Sequence, residues 1–316
     1  MAKVIVTGAA GYIGGQIVLQ LKGAGHTVVG IDRRPLQTYL TDRIDRFVQA
    51  DFDSDEAYKL LLDVQPNAVV HCAGTSLVGP SIKKPSEYYG NNVAKTMNLL
   101  NFIVQALPRS RFIFSSSAAV YGEPVMTPCQ EVDPRDPVSP YGESKLMVEM
   151  MLESYHRAYG LDYVAFRYFN ACGADMQTRH GQEPGATHII ARALESLRDG
   201  TTFTLYGNNY ATEDGTCVRD YVHVQDIADA HVSALYDNLA PGVYNLGTNQ
   251  GTSNAEIIAT VEMLTHRKLN VVVGPQRAGD PAVLTASADK FGMVYKDWQK
   301  YNLEDMIVHA WKWYNV

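Results

Sequence analysis

The stretch that most restricts what this chain can become lies at its start, where the β-branched run Val4-Ile5-Val6-Thr7 meets Gly8-Ala9-Ala10-Gly11-Tyr12-Ile13-Gly14. A strand that turns through glycines into a helical pattern is the first half of a βαβ unit. Glycines let the backbone turn tightly and let a pyrophosphate approach the N-terminus of the next helix, where N–H groups and the helix dipole favour an anion. The spacing is G-x-x-G-x-x-G, one residue longer than the G-x-G-x-x-G of ordinary dinucleotide folds, and such turns also serve packing alone. Asp32 adds to the signal: it ends the second predicted strand, 18 positions beyond Gly14, where a carboxylate accepts from both hydroxyls of an adenosine ribose. That favours NAD over NADP, because the carboxylate repels a 2′-phosphate even though Arg33 and Arg34 follow it. Asp51 and Phe52, after the third strand, are candidate adenine neighbours, or equally a turn aspartate and a core aromatic.

The rest of the first half repeats the same alternation. Candidate strands at 3–7, 27–31, 46–50, 68–71, 111–115 and 162–167 are separated by helical patterns near 12–24, 54–63, 86–106 and 141–159. This predicts an α/β chain with a Rossmann-type, doubly wound parallel sheet. Past residue 170 the texture becomes irregular, with strands near 203–206, 243–246 and 270–273 among helices near 188–198, 225–237, 253–265 and 303–314. At roughly 150 residues per domain, 316 residues suit two modest domains. We expect an NAD-binding Rossmann domain over 1–170 and a smaller α/β substrate-binding domain over 171–316, with some segments such as 219–240 packing back on the first.

Composition excludes several classes of function. With 46% hydrophobic and 19% charged residues the chain is ordinary globular material. Lys and Arg total 27 against 34 Asp and Glu, a net charge of −7, so no basic field exists to attract nucleic acid. Cys72, Cys129, Cys172 and Cys217 lack C-x-x-C spacing, and neither His180 with His188 nor His223 with His231 has ligand spacing, so no metal site is expected and the cysteines read as thiols. No apolar run is long enough to span a bilayer and no leader precedes the first strand, so a cytoplasmic protein without a membrane partner is expected.

Tyr141-Gly142-Glu143-Ser144-Lys145 places a phenol and an ammonium four residues apart, on one helix face after Pro140. A phenol of pKa about 10 is a poor base at neutral pH, and a fixed cation beside it favours phenolate. Upstream, Phe112-Ile113-Phe114 runs into Ser115-Ser116-Ser117 at the carboxyl end of a buried strand, where open α/β sheets place their ligands. Each part is common alone. Glycine loop, strand-end hydroxyls and Tyr-x-x-x-Lys in that order are far more specific.

Here the chain resembles the extended short-chain dehydrogenase/reductase family over nearly its whole length, on the branch of the UDP-glucose 4-epimerases. Supporting stretches are Val70-His71-Cys72-Ala73-Gly74, Tyr88-Tyr89-Gly90-Asn91-Asn92-Val93, Arg167-Tyr168-Phe169-Asn170, Val218-Arg219-Asp220-Tyr221-Val222-His223 and Arg277-Ala278-Gly279-Asp280-Pro281-Ala282. The resemblance implies C4 epimerisation of a UDP-hexose through an enzyme-held 4-keto sugar and bound NAD. Tyr141 then exchanges the proton of the sugar O4, Ser117 orients it, and Lys145 holds the nicotinamide ribose. Implied cofactor neighbours are Gly8, Gly11, Tyr12, Ile13, Gly14, Asp32, Asp51, Phe52, Cys72, Ala73, Gly74, Asn91, Ser115, Tyr141, Lys145 and Tyr168. For the UDP-sugar the resemblance implies Ser117, Tyr141, Asn170, Thr187, His188, Ile189, Tyr206, Arg219, Arg277, Asp280 and Val283. It also implies a homodimer formed through the helices at 86–106 and 141–159.

Two positions depart from the branch. Ser76 stands where many members carry a lysine, implying weaker NAD retention, and Val283 stands where enzymes restricted to plain hexoses carry a tyrosine, implying room for an N-acetyl group. Ala118 and Ala119 occupy the places where dehydratases put an Asp-Glu pair, which disfavours dehydration. UDP-glucuronate 4-epimerisation or decarboxylation is the nearer alternative. A non-catalytic NAD-binding sensor is the remote one, since it has no use for Ser117, Tyr141 and Lys145 together.

Overall fold

The computed structural model describes residues 1–236, 239–277 and 280–315. Its strands are β1 (Lys3–Thr7), β2 (Thr27–Asp32), β3 (Arg46–Gln49), β4 (Ala68–His71), β5 (Arg111–Ser117), β6 (Tyr163–Tyr168), β7 (Asn170–Cys172), β8 (Thr202–Tyr206), β9 (Val218–Arg219), β10 (Tyr221–His223), β11 (Gly242–Leu246), β12 (Thr252–Ser253), β13 (Asn270–Gly274) and β14 (Val283–Leu284). The helices are α1 (Tyr12–Gly23), α2 (Asp55–Val64), α3 (Val78–Lys83), α4 (Pro85–Tyr88), α5 (Lys95–Ala106), α6 (Pro140–Tyr159), α7 (Ile189–Asp199), α8 (Val224–Ser233), α9 (Asn254–Thr265), α10 (Asp289–Gly292) and α11 (Leu303–Tyr314). Asp237, the last residue of the helix expected near 225–237, and Ala278 and Gly279 of the Arg277–Ala282 stretch lie outside the described residues.

One seven-stranded sheet runs in the order β11-β6-β5-β4-β1-β2-β3. The β1–β2, β1–β4, β2–β3 and β4–β5 ladders are parallel, so the order turns outward from β1 in both directions, as a doubly wound Rossmann sheet requires. β1, β4 and β5 are almost wholly buried, because helices cover both faces of such a sheet and leave their Val, Ile and Phe side chains no water. The strand expected near 243–246 joins this sheet at its edge beside β6 instead of standing in a separate one. Its Tyr244 is buried, with the ring 6.4 Å from Phe166.

By contacts the chain divides into two units: 1–122, 135–167 and 228–244 form one, and 123–134, 168–227 and 245–316 the other. In the first unit Leu99, Leu100 and Ile103 of α5 and Val148 and Leu152 of α6 pack with Phe112 and Phe114 of β5. In the second, Ile190 and Leu194 of α7, Ile257 and Val261 of α9 and Met306 and Ile307 of α11 enclose Phe203.

Helix α6 carries the Tyr-x-x-x-Lys pair, and its ends are written in the sequence. Ser139 accepts from the amide of Gly142, Pro140 occupies the first turn, and Gly160 closes the helix at φ 72°. The middle of α6 is fixed by charge. Arg167 of β6, 1% exposed, gives Nε to Glu149 Oε1 at 3.0 Å and Nη2 to Oε2 at 2.7 Å, while Ser116 Oγ donates to Oε1 at 2.5 Å and Arg167 Nη1 donates to the Tyr121 hydroxyl at 2.8 Å. Burial opposes the guanidinium charge, and the paired carboxylate outweighs it.

Breaking one partner of such a pair leaves a buried charge alone, so Arg167→Met is expected to cost about 3–5 kcal/mol in chemical denaturation. The double variant Arg167→Met with Glu149→Leu should recover most of that loss, and equal losses in the single and double variants would show that the pair carries no coupling.

Candidate active site

The glycine loop is shaped by close approach. Gly8 adopts φ +73° and donates to the carbonyl of Ile31 at 2.8 Å, and Gly11 donates to the carbonyl of Gly8 at 2.9 Å. A Cβ on Gly14 would stand 2.1 Å from the Gly8 oxygen, and one on Gly8 would stand 2.7 Å from the Ala73 nitrogen. Neither position accepts a side chain. α1 therefore begins at Tyr12 behind a glycine with no side chain to cap it, the uncapped helix start that an anion site needs. Asp32, 8% exposed, closes the turn: Oδ2 accepts from the Ala10 amide at 3.0 Å and Oδ1 from the Arg34 amide at 2.9 Å.

The neighbouring strand ends complete this side. Ser115 Oγ donates to Cys72 Sγ at 3.1 Å, and Gly74 lies so close to α6 that a Cβ there would be 3.8 Å from Lys145 Nζ. Asp51 is ion-paired to Lys95, and Phe52 is buried in the core with its ring edge-on to His71, 4.8 Å away. Ser76 is exposed. Asn91 Nδ2 donates to Thr75 Oγ1 at 2.9 Å.

Ser117, Tyr141 and Lys145 come together at the carboxyl end of β5. Lys145, 6% exposed, donates to the Ser115 carbonyl at 2.8 Å and sits 5.8 Å from the centre of the Tyr141 ring. Burial pulls its pKa down to about 8, against the pull of Cys72 and Glu149. Burial raises the Tyr141 phenol above its ordinary value, and a hydrogen bond with Ser117 draws it back. Desolvation thus favours the neutral form of both groups.

Sequence reasoning missed Asn92. It lies in a π-helical segment, Tyr89–Ala94, that interrupts the helix expected over 86–106. Buried there, it donates to the Thr75 carbonyl and to Ser144 Oγ, each at 3.0 Å, while Oδ1 accepts from the Thr75 amide at 2.8 Å. It ties the 74–75 loop to α6. Two consecutive asparagines inside an apolar helical pattern were the available signal.

The second unit carries the remaining candidates. The Arg219 guanidinium is ion-paired to Asp280 and donates to the Val218 carbonyl at 2.7 Å. The Arg277 guanidinium lies 4.2 Å from the Tyr206 ring centre and Arg192, also missed, 5.4 Å. Val283 of β14 pairs with Val218, and Asn170 Nδ2 donates to the Asp220 carbonyl at 2.9 Å. Thr187 and His188 are exposed just before α7, whose first residue is Ile189, and Tyr168 is buried. Asp220 is the hub: wholly buried, it accepts from Thr248 N and Oγ1 at 2.7 Å and from Ala286 N at 3.1 Å. Burial lifts its pKa to about 6 against those donors.

The model of the NAD dependent epimerase/dehydratase family matches residues 4–247. The chain belongs to that family. A UDP-glucose 4-epimerase of Halalkalibacterium halodurans is 40% identical to it over 98% of this chain and 95% of that protein. Among solved structures, a UDP-glucose-4-epimerase from Stenotrophomonas maltophila with bound NAD and formylated UDP-arabinopyranose superposes with a TM-score of 0.94 at 33% identity, covering 100% of this chain and 98% of that one. The UDP-Glc/GlcNAc 4-epimerase from Campylobacter jejuni gives 0.84 at 32% identity, covering 100% and 99%.

The cradle fits the cofactor that names the epimerase/dehydratase family. Its floor is backbone that no Cβ can enter, α1 starts beside it without a side-chain cap, and Asp32 borders the turn, groups that could hold a pyrophosphate and a ribose. Among the described residues no helix is long and apolar enough to cross a membrane.

A lysine whose folded pKa of about 8 lies below its unfolded value near 10.4 binds fewer protons folded than unfolded between those limits. Stability of the cofactor-free chain should therefore gain from Lys145 as pH rises from 8 to 10. Denaturation midpoints across that range should climb less steeply for Lys145→Met, and parallel slopes would refute the assignment.

Proposed function

We propose that this chain interconverts the C4 epimers of UDP-hexoses, UDP-glucose with UDP-galactose and also their N-acetylated counterparts, with no net oxidation. The observation that carries the reading is the convergence of Ser117, Tyr141 and Lys145 at the end of β5 beside the Gly74 loop, in a chain whose relatives are named UDP-glucose 4-epimerases. NAD, held by the Gly8–Gly14 loop and Asp32, supplies a reversible hydride acceptor for C4.

The chain's own residues handle the proton and the charge. Tyr141 accepts the proton of O4 as the C4 carbonyl forms and returns it when the C4–H bond is remade on the other face. Ser117, already bonded to the phenol, hydrogen-bonds O4 and keeps the two in line. Because burial, with the neighbouring Tyr88, holds Tyr141 above its ordinary pKa, its activation falls to the Lys145 ammonium, which also holds the nicotinamide ribose. In the second unit, Arg219 and Arg277 bind the diphosphate, Asn170 and Asp280 the sugar diphosphate, and Tyr206, Thr187, His188 and Ile189 the uridine. Val283, half-buried on a two-residue strand, leaves the space of a larger side chain to an acetamido group. A relative that is a UDP-Glc/GlcNAc 4-epimerase supports that scope. The cytoplasm suits this chemistry and the four free cysteines.

Incubation without added NAD should give the C4 epimer by proton NMR from UDP-glucose and from UDP-N-acetylglucosamine, and none from UDP-glucuronate. Tyr141→Phe should lower the rate by about 10²–10⁴. Full activity in that variant, or silence with both hexoses after NAD is added, would reject the reading.

We further propose a homodimer through α5 and α6. Met97, Met147 and Met150 are 42%, 42% and 57% exposed, and the last two lie three residues apart on one helix face. Light scattering should give twice 34.9 kDa for the native chain and a monomer for Met147→Glu with Met150→Glu; a monomeric native chain would end this proposal.

A further inference from the structure

The glycine loop is held from outside as well as from below, and the holder is Arg34. The Ala10 peptide is pinned at both ends. Its N–H donates to Asp32 Oδ2 at 3.0 Å, and its carbonyl accepts from Arg34 Nη2 at 2.7 Å and from Gln37 Nε2 at 2.8 Å. Arg34 Nε also stands 3.6 Å from Asp32 Oδ1, whose other contact is the Arg34 amide at 2.9 Å. The guanidinium thereby bridges the two elements that face the adenosine half of the cofactor. It lies on the lip of the cradle itself, for a Cβ on Gly11 would be 3.4 Å from Nη2. The side chain itself remains half-exposed.

Two consequences follow from the chemistry of this arrangement. A carbonyl clamped by two donors cannot rotate into the space where a pyrophosphate must approach, so the loop is set in its binding shape before any nucleotide arrives. A guanidinium close to Asp32 also offsets the negative charge that a 2′-phosphate would meet there. We propose that Arg34 is a positioning residue for the dinucleotide: it presets the Ala10–Gly11 turn for NAD, and by shielding Asp32 it lets the chain bind NADP weakly where the bare carboxylate would reject it. This rests on the NAD reading above and concerns binding alone.

The two effects separate by substitution. Arg34→Leu removes clamp and charge, Arg34→Lys keeps the charge without the fork, and Gln37→Ala removes a clamp donor without touching charge. Calorimetric titration of the full chain, freed of nucleotide, with NAD and with NADP should give an NAD Kd about tenfold weaker for Arg34→Leu and an NADP Kd weaker by about a hundredfold, so that the ratio widens about tenfold. Arg34→Lys should weaken both while holding the ratio near that of the native chain, and Gln37→Ala should weaken both equally. Melting of the nucleotide-free variants should match the native chain. Unchanged Kd values in Arg34→Leu, or equal weakening of both nucleotides with a lowered melting temperature, would overturn the proposal. A native chain that binds neither nucleotide would instead defeat the NAD reading.

Discussion

The carboxyl end of the sheet hangs on one charged pair placed where charges are expensive. Arg167 and Glu149 are 1% and 2% exposed, and each would destabilise the fold if left alone. Together, with Ser116 and Tyr121 filling their remaining hydrogen bonds, they lock α6 to β5 and β6 at a fixed height. That height matters because Lys145 lies one helical turn before Glu149 and Ser117 directly follows Ser116. A slip of α6 by one residue would carry Tyr141 and Lys145 away from the strand end that holds Ser117.

The same burial sets the chemistry. Desolvation moves the Tyr141 phenol up and the Lys145 ammonium down, so each is biased toward its uncharged form. A phenolate paired with an ammonium is the state desolvation opposes and mutual attraction favours. On the proposed reading, further positive charge brought alongside the pair favours the phenolate, so proton uptake by Tyr141 waits on a filled site.

Legibility in the sequence followed the range of the interactions. The β-branched runs, Pro140 ahead of α6, and the glycine loop are local signals, and the elements they announce stand where expected. The edge position of β11 was not legible, because a short, mostly apolar run does not say which sheet it joins. Nor was the π-helical turn at Tyr89–Ala94, which exists because Asn92 must reach both Thr75 and Ser144, residues distant in sequence. Asp51 and Phe52 were ambiguous for the same reason: their partners, Lys95 and His71, lie 44 and 19 positions away. Ser117, Tyr141 and Lys145 were readable only as a set. None of the three is unusual where it stands, and their order along a βαβ chain carried the inference.

In the second unit the resting contacts are themselves instructive. Arg219 holds Asp280 and a backbone carbonyl, and its strand is anchored by the buried Asp220 through Thr248 and Ala286. A guanidinium so placed is already oriented, so little side-chain entropy remains to be lost when an anion arrives. The cost is competition, since Asp280 must share the fork or yield it. Arg277 differs: exposed and resting on the Tyr206 ring, it retains freedom that binding must remove. On the proposed reading, Arg219 therefore fixes where the diphosphate lies, and Arg277 closes over it at an entropic cost that falls on affinity more than on alignment.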